Sequence, residues 1–203
     1  MLVNGGKKIT PALIDRVQDR LGRTVYRHDD RKCPDCRADS WHEQRVPEIP
    51  DTRPQITDPA SAYQIVSMLR GVVERGTGRR ISEIDKPLAG KTGTTNEERD
   101  TWFIGFSPDL AVGVFVGYDD PVPLGRHETG SSVSAPVFRD FMADALKGQP
   151  AIPFRTPPGI RLVRVNARTG LPIEPGETNV ILEAFKEGTV PDSSTNVIEG
   201  QSW

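Results

Sequence analysis

The sequence predicts an α+β fold, an antiparallel sheet with helices packed on it, and three observations carry that expectation. Three strand-like runs follow one another between residues 88 and 118, joined by links too short for a crossover. Helical patterns flank them on both sides, at residues 58–75 and 135–147. The 203 residues, 35% of them apolar, are enough for one ordinary core, while 18 prolines and 19 glycines predict many turns and extended connections.

Taken in order, residues 9–28 alternate in character around Asp19-Arg20-Leu21-Gly22, which predicts a β-hairpin. Residues 28–58 then form a charged stretch interrupted by Pro34, Pro47, Pro50 and Pro54, expected to be a long surface loop. The first helix opens on the cap candidate Asp58 and Pro59. It places Ala62, Ile65, Val66, Leu69, Val72 and Val73 at helical spacing, and Gly76 ends it, with Gly76-Thr77-Gly78 as a flexible exit. Strands are expected at residues 88–94, 101–106 and 111–118. Gly105, Gly113 and Gly117 inside them should mark bulges or close approaches. Of the neighbours Trp102 and Phe103, at least one should belong to the core, because strand neighbours face opposite ways. The second helix is expected to show Val137, Phe138, Phe141, Met142, Ala145 and Leu146 on one side before Gly148 stops it. Residues 1–148 thus read as the main domain and 149–203 as an appendage, with one hairpin in which 160–165 turns through Asn166-Ala167-Arg168-Thr169-Gly170. The Ser-, Thr- and Asn-rich end, 189–203, reads as a disordered tail.

Composition excludes several classes of partner. The 26 basic and 28 acidic residues nearly cancel, so no large single-sign field points to nucleic acid or an anionic membrane. The longest apolar stretch, 110–118, falls far short of the roughly 20 residues a helical membrane span needs. No secretion signal opens the sequence.

The compact cluster of cation, hydroxyls and glycines is Gly90-Lys91-Thr92-Gly93-Thr94-Thr95. As a phosphate-binding loop it would need a glycine at position 85, where Asp85 stands, and a helix afterwards instead of a strand. On an edge strand, by contrast, a peptide can add as one more strand. Gly93 leaves that approach open, Lys91 brings charge near a substrate carboxylate, and Thr92 and Thr94 are expected to project in alternate directions. Without a nucleophile nearby, the same edge would serve a non-catalytic peptide- or protein-binding module.

The surroundings sharpen this. The runs 88–96, 99–110 and 112–121, the opening Met1-Leu2-Val3-Asn4-Gly5-Gly6, the 15–26 hairpin, Tyr63-Gln64-Ile65-Val66-Ser67-Met68-Leu69 and Ala135-Pro136-Val137-Phe138 closely resemble class A, bifunctional penicillin-binding proteins. The resemblance spans about residues 1–148. It implies the carboxyl-terminal part of the transpeptidase fold, shared with serine β-lactamases. It further implies a DD-transpeptidase that attacks a stem-peptide D-alanine carbonyl with a serine, and is acylated by β-lactams at the same serine. By family position Lys91 and Thr94 would be catalytic, and Thr92, Gly93, Thr94 and Thr95 would bind substrate. The Thr94 N–H would form one arm of the oxyanion hole, a contribution worth roughly two to three powers of ten in other acyl-transfer enzymes. The partners implied are the peptidoglycan stem peptide and β-lactams. The location implied is extracytoplasmic, in a parent anchored to the inner membrane. No cofactor and no metal is expected.

The family also requires Ser-x-x-Lys and Ser-x-Asn ahead of Lys-Thr-Gly. No serine here is followed three residues later by lysine, and Ser194-Thr195-Asn196 comes after the motif in the polar tail. The expectation is therefore a chain that carries the substrate strand without its nucleophile, its opening residues matching an interior stretch of the family. Asp119-Asp120 reads as a strand terminator, and 97–100 as a solvated turn. Cys33-Pro34-Asp35-Cys36, with His28 and His42 nearby, has zinc-ligand types but not the better known finger spacing. A disulfide or unpaired thiols is the expected state.

Overall fold

The structure, a computed structural model, describes residues 1–29, 31, 49 and 51–192. Cys33, Cys36, His42 and residues 193–203 of the expected tail lie outside the described residues. Two compact units emerge, one of residues 7–56 and one of residues 1–6 with 57–203.

In the smaller unit the expected hairpin is present, β1 (Arg16–Gln18) antiparallel to β2 (Thr24–Arg27), with a register shift between Val17 and Gln18. Its turn is built by Asp19, whose Oδ1 accepts the amides of Leu21 at 2.8 Å and Arg23 at 2.9 Å, and by Gly22 at φ 78°.

The larger unit holds α1 (Pro59–Glu74), β3 (Ala89–Thr94), β4 (Thr101–Phe106), β5 (Ala111–Val116), α2 (Ala135–Ala145), β6 (Ile160–Asn166) and β7 (Val180–Lys186). Asp58 caps α1, its Oδ1 accepting the Ser61 amide at 2.9 Å, and Pro59 occupies the first turn. Hydrogen bonds from the Ser61 hydroxyl and then its amide, with Lys186 at 3.1 Å, hold the Asp58 carboxyl well below the usual carboxylate range. The sheet runs β3-β4-β5, antiparallel throughout, in the order expected.

Its inner face carries Phe103, fully buried, which packs on Phe138 of α2 with ring centroids 4.7 Å apart. Gly90 and Gly105 sit opposite each other in the register and make room for those rings. A Cβ on Gly90 would lie 2.7 Å from the Phe103 ring, and one on Gly105 would lie 2.6 Å from Phe138. Val73, Ile81, Leu88, Ala135 and Met142 complete this cluster. The outer face leaves Trp102, Ile104 and Phe115 substantially exposed, so Trp102 and Phe103 do face opposite ways.

Both helices turn somewhat differently from their sequence stripes. On α1, Tyr63 is buried while Ile65 is exposed; on α2, Phe138 and Met142 are buried while Val137 and Phe141 are half exposed. The reason lies in the surfaces they meet. Tyr63 belongs to a second cluster with Val66, Ala89, Phe154 and Ala184, and its hydroxyl accepts from Thr156 Oγ1 at 2.9 Å.

The residues after 149 are thus packed on α1. Gln64 Nε2 donates to the Ala184 carbonyl at 3.0 Å, and Ser67 Oγ to Glu183 Oε1 at 3.0 Å. The turn through residues 166–170 forms, with the Gly170 amide on the Asn166 carbonyl at 2.8 Å. The strand that pairs with β6 comes later than expected, however. β7 matches β6 residue for residue from Ile160↔Lys186 to Asn166↔Val180.

Candidate functional site

Positions two apart in a strand share a face, so the expectation that Thr92 and Thr94 project in alternate directions is overturned. Thr92 is registered with Phe103 and Thr94 with Thr101, both on the inner side, whereas Lys91 and Gly93 are registered with Ile104 and Trp102 on the outer side. The exposed Lys91 bends back over the edge of β3. Its Nζ donates to the Thr92 carbonyl at 2.9 Å and to Thr92 Oγ1 at 3.3 Å. Thr92 Oγ1 lies 2.9 Å from Thr77 Oγ1.

The segment before α2 carried no expectation of its own. It forms a π-helical turn, Gly130–Ser134, capped by Thr129. That turn lies over β3 and β4. The Gly130 amide donates to Thr94 Oγ1 at 3.0 Å, and Ser134 Oγ shares a buried hydrogen bond with Thr101 Oγ1 at 2.8 Å. Ser131 Oγ donates to the Thr77 carbonyl at 2.7 Å. Only a glycine allows this fit at 130, since a Cβ there would stand 2.5 Å from the Trp102 carbonyl oxygen and 2.6 Å from that of Gly93.

Gly93 itself has a packing reason beyond substrate access, because a Cβ would come within 3.2 Å of Trp102 Cβ. Thr95 is committed to the turn that leaves the strand. Its amide donates to the Asp100 carbonyl at 3.0 Å, and its Oγ1 accepts the Asp100 amide at 2.8 Å.

The turn between β3 and β4 is more than a solvated link. Glu97 at φ 61° and Glu98 at φ 55° occupy the left-handed region that favours glycine. Glu98 is held by the following loop, its carbonyl accepting the Leu124 amide at 2.9 Å and its Oε2 the His127 amide at 2.9 Å. Glu97 is paired with Arg99. Among the described residues, no three His, Cys, Asp or Glu side chains come together as a metal site. No helix among them is long and apolar enough to cross a membrane.

Sequence reading missed Thr77, Gly130 and Ser131. The signal available was modest, a glycine-hydroxyl cluster at Thr129-Gly130-Ser131-Ser132 and another at Gly76-Thr77-Gly78, each beside a helix.

Residues 1–143 match the family described as penicillin binding protein transpeptidase domain, and the chain belongs to that family. Over 192 residues it is 45% identical to penicillin-binding protein 1A of Rickettsia conorii, covering 94% of this chain and 24% of that one. Its identity to penicillin-binding protein 1A of Pseudomonas aeruginosa is 34%, over 98% of this chain and 28% of that one. The crystal structure of penicillin-binding protein 1A from Haemophilus influenzae superposes with a TM-score of 0.74 at 26% identity, covering 94% of this chain and 31% of that one. The chain thus spans about a quarter of the length of the curated relatives it matches.

Proposed function

We propose that this chain supplies the substrate-binding part of a peptidoglycan DD-transpeptidase, and that it needs a Ser-x-x-Lys and Ser-x-Asn segment beside β3 for catalysis. The observation that carries this reading is the Lys91 ammonium folded onto the Thr92 hydroxyl at the sheet's edge, with the Thr94 hydroxyl on the same strand face.

In the reaction, a serine Oγ would bond to the penultimate D-alanine carbonyl carbon as its proton passes to a neighbouring base. The amide C–N bond then breaks, and the terminal D-alanine leaves as a protonated amine. An amine of a second stem peptide attacks the ester, and the serine regains its proton. Lys91 supports the proton transfers and the local electrostatics, and the Thr94 N–H supports the oxyanion. Thr94 Oγ1 accepts from Gly130, which leaves its own proton to donate to the substrate carboxylate together with Thr92. Thr92, Gly93, Thr94 and Thr95 line the peptide's path, and β-lactams take the same place. Residues 1–148 carry this function, residues 149–203 are its appendage, and the work is extracytoplasmic, in a parent anchored to the inner membrane.

The test is acylation by a fluorescent penicillin of the protein read from the full reading frame. Lys91→Ala and Thr94→Val should each slow it at least tenfold with the fold intact. Rates equal to the parent's for both would remove the assignment, as would a stop codon just upstream of Met1, which would favour the non-catalytic binding module.

A further inference from the structure

Thr77 sits in the connection between α1 and a short 3-10 turn, Arg79–Ile81. Its hydroxyl reaches the motif strand, and the proton count at Thr92 gives that contact a meaning. A hydroxyl oxygen has two acceptor positions and one proton. Lys91 can only donate, so it occupies one acceptor position on Thr92 Oγ1, at 3.3 Å. If Thr77 donates across its 2.9 Å contact, the second acceptor position is filled and the Thr92 proton is left for a third group.

Thr77 is itself anchored, because its carbonyl accepts from Ser131 Oγ at 2.7 Å. Ser131 follows Gly130, whose amide holds Thr94 Oγ1 at 3.0 Å. One π-helical turn therefore restrains both strand hydroxyls, Thr94 directly and Thr92 through Thr77.

We propose that Thr77 is a positioning residue for carboxylate recognition: it donates to Thr92 Oγ1 and so turns the Thr92 proton toward the terminal carboxylate of a D-alanyl peptide, with Ser131 holding Thr77 in place. This rests on the proposed function, and it adds a residue from outside the strand and its motif.

The experiment titrates the ¹⁵N-labelled chain with N-acetyl-D-alanyl-D-alanine, and separately with its C-terminal amide, following the β3 amide resonances. The acid should bind more tightly than the amide. Thr77→Val, which removes the hydroxyl at nearly constant volume, should weaken acid binding about tenfold and leave amide binding unchanged. Thr77→Ser should restore the acid, and Ser131→Ala should weaken it several-fold. Equal loss for acid and amide in Thr77→Val, or no loss, would overturn the positioning role. If Lys91→Ala still abolished the preference for the acid, the proposed function would stand without it. Acid and amide binding alike, or no β3 shift in the unsubstituted chain, would remove both.

Discussion

Gly130→Ala tests whether the turn before α2 must touch the backbone of the motif strand. The added Cβ would stand 2.5 Å from the Trp102 carbonyl oxygen, 2.6 Å from the Gly93 carbonyl oxygen and 3.1 Å from the Gly93 nitrogen. All three are backbone atoms within a paired ladder, so no flexible side chain can yield, and the turn must lift by several tenths of an ångström or more. Overpacking of this kind costs about 1–3 kcal/mol. Lifting the turn also weakens the bond from the Gly130 amide to Thr94 Oγ1, a net loss of about 1 kcal/mol. The expected destabilisation is therefore about 2–4 kcal/mol, which for a domain of this size lowers Tm by roughly 4–16 °C. Urea denaturation read by circular dichroism measures it. Gly113→Ala is the control, because its nearest neighbour, Ile104 Cγ1, is 3.9 Å away and its φ is not in the left-handed region. That substitution should be neutral or stabilise by up to about 1 kcal/mol. A Gly130→Ala chain within about 0.5 kcal/mol of the parent would refute the close approach.

Three further outcomes are expected. Phe138→Ala empties the fully buried site against Phe103 and should cost about 3–5 kcal/mol by the same denaturation assay. Because Asp58 titrates below its ordinary value of 3.8, its charge stabilises the fold above that pH and ceases to do so as pH falls through the lowered value. The Tm gap between parent and Asp58→Asn should accordingly be full well above 3.8 and narrow as the pH falls below it, and a constant gap would contradict the capping role. Incubated alone with a fluorescent penicillin, this chain should form no covalent adduct, since no serine in its sequence is followed three residues later by a lysine; a stoichiometric mass increase mapped to one of its serines would refute that.

The sheet and both helices were legible because local chemistry marks them. Asp58-Pro59 opens α1 and Gly76 follows its end, while short links at residues 95–100 and 107–110 force antiparallel neighbours. What escaped depends on contacts distant in sequence. The π-helical form of Gly130–Ser134 is set by Thr94 and Thr101, some 33 to 36 residues earlier. β7 escaped because the turn at Asn166 implies a partner strand directly after it, whereas β6 pairs with Val180–Lys186. The apolar run Val180-Ile181-Leu182, bounded later by Glu187-Gly188, was signal enough for a strand. At the site, sequence marked Lys91, Thr92 and Thr94 through their motif, but the faces of Thr92 and Thr94 follow from strand periodicity and were misjudged. Thr77 gave no motif of its own, since its role exists only through the hydroxyl it meets.

The left-handed pair Glu97 and Glu98 has a consequence for the order in which the chain assembles. Two non-glycine residues at positive φ cost about 1–3 kcal/mol each, which a two-strand hairpin cannot hold unaided. Their restraint arrives with Leu124 and His127, 26 and 29 residues after Glu98. As the chain emerges during synthesis, β3 and β4 can therefore pair early, but the turn joining them takes its final shape only after residue 127 has been made. A nascent chain halted before residue 124 would hold every residue of the Lys-Thr-Gly motif and would still lack both of the bonds that tie Glu98 to the following loop.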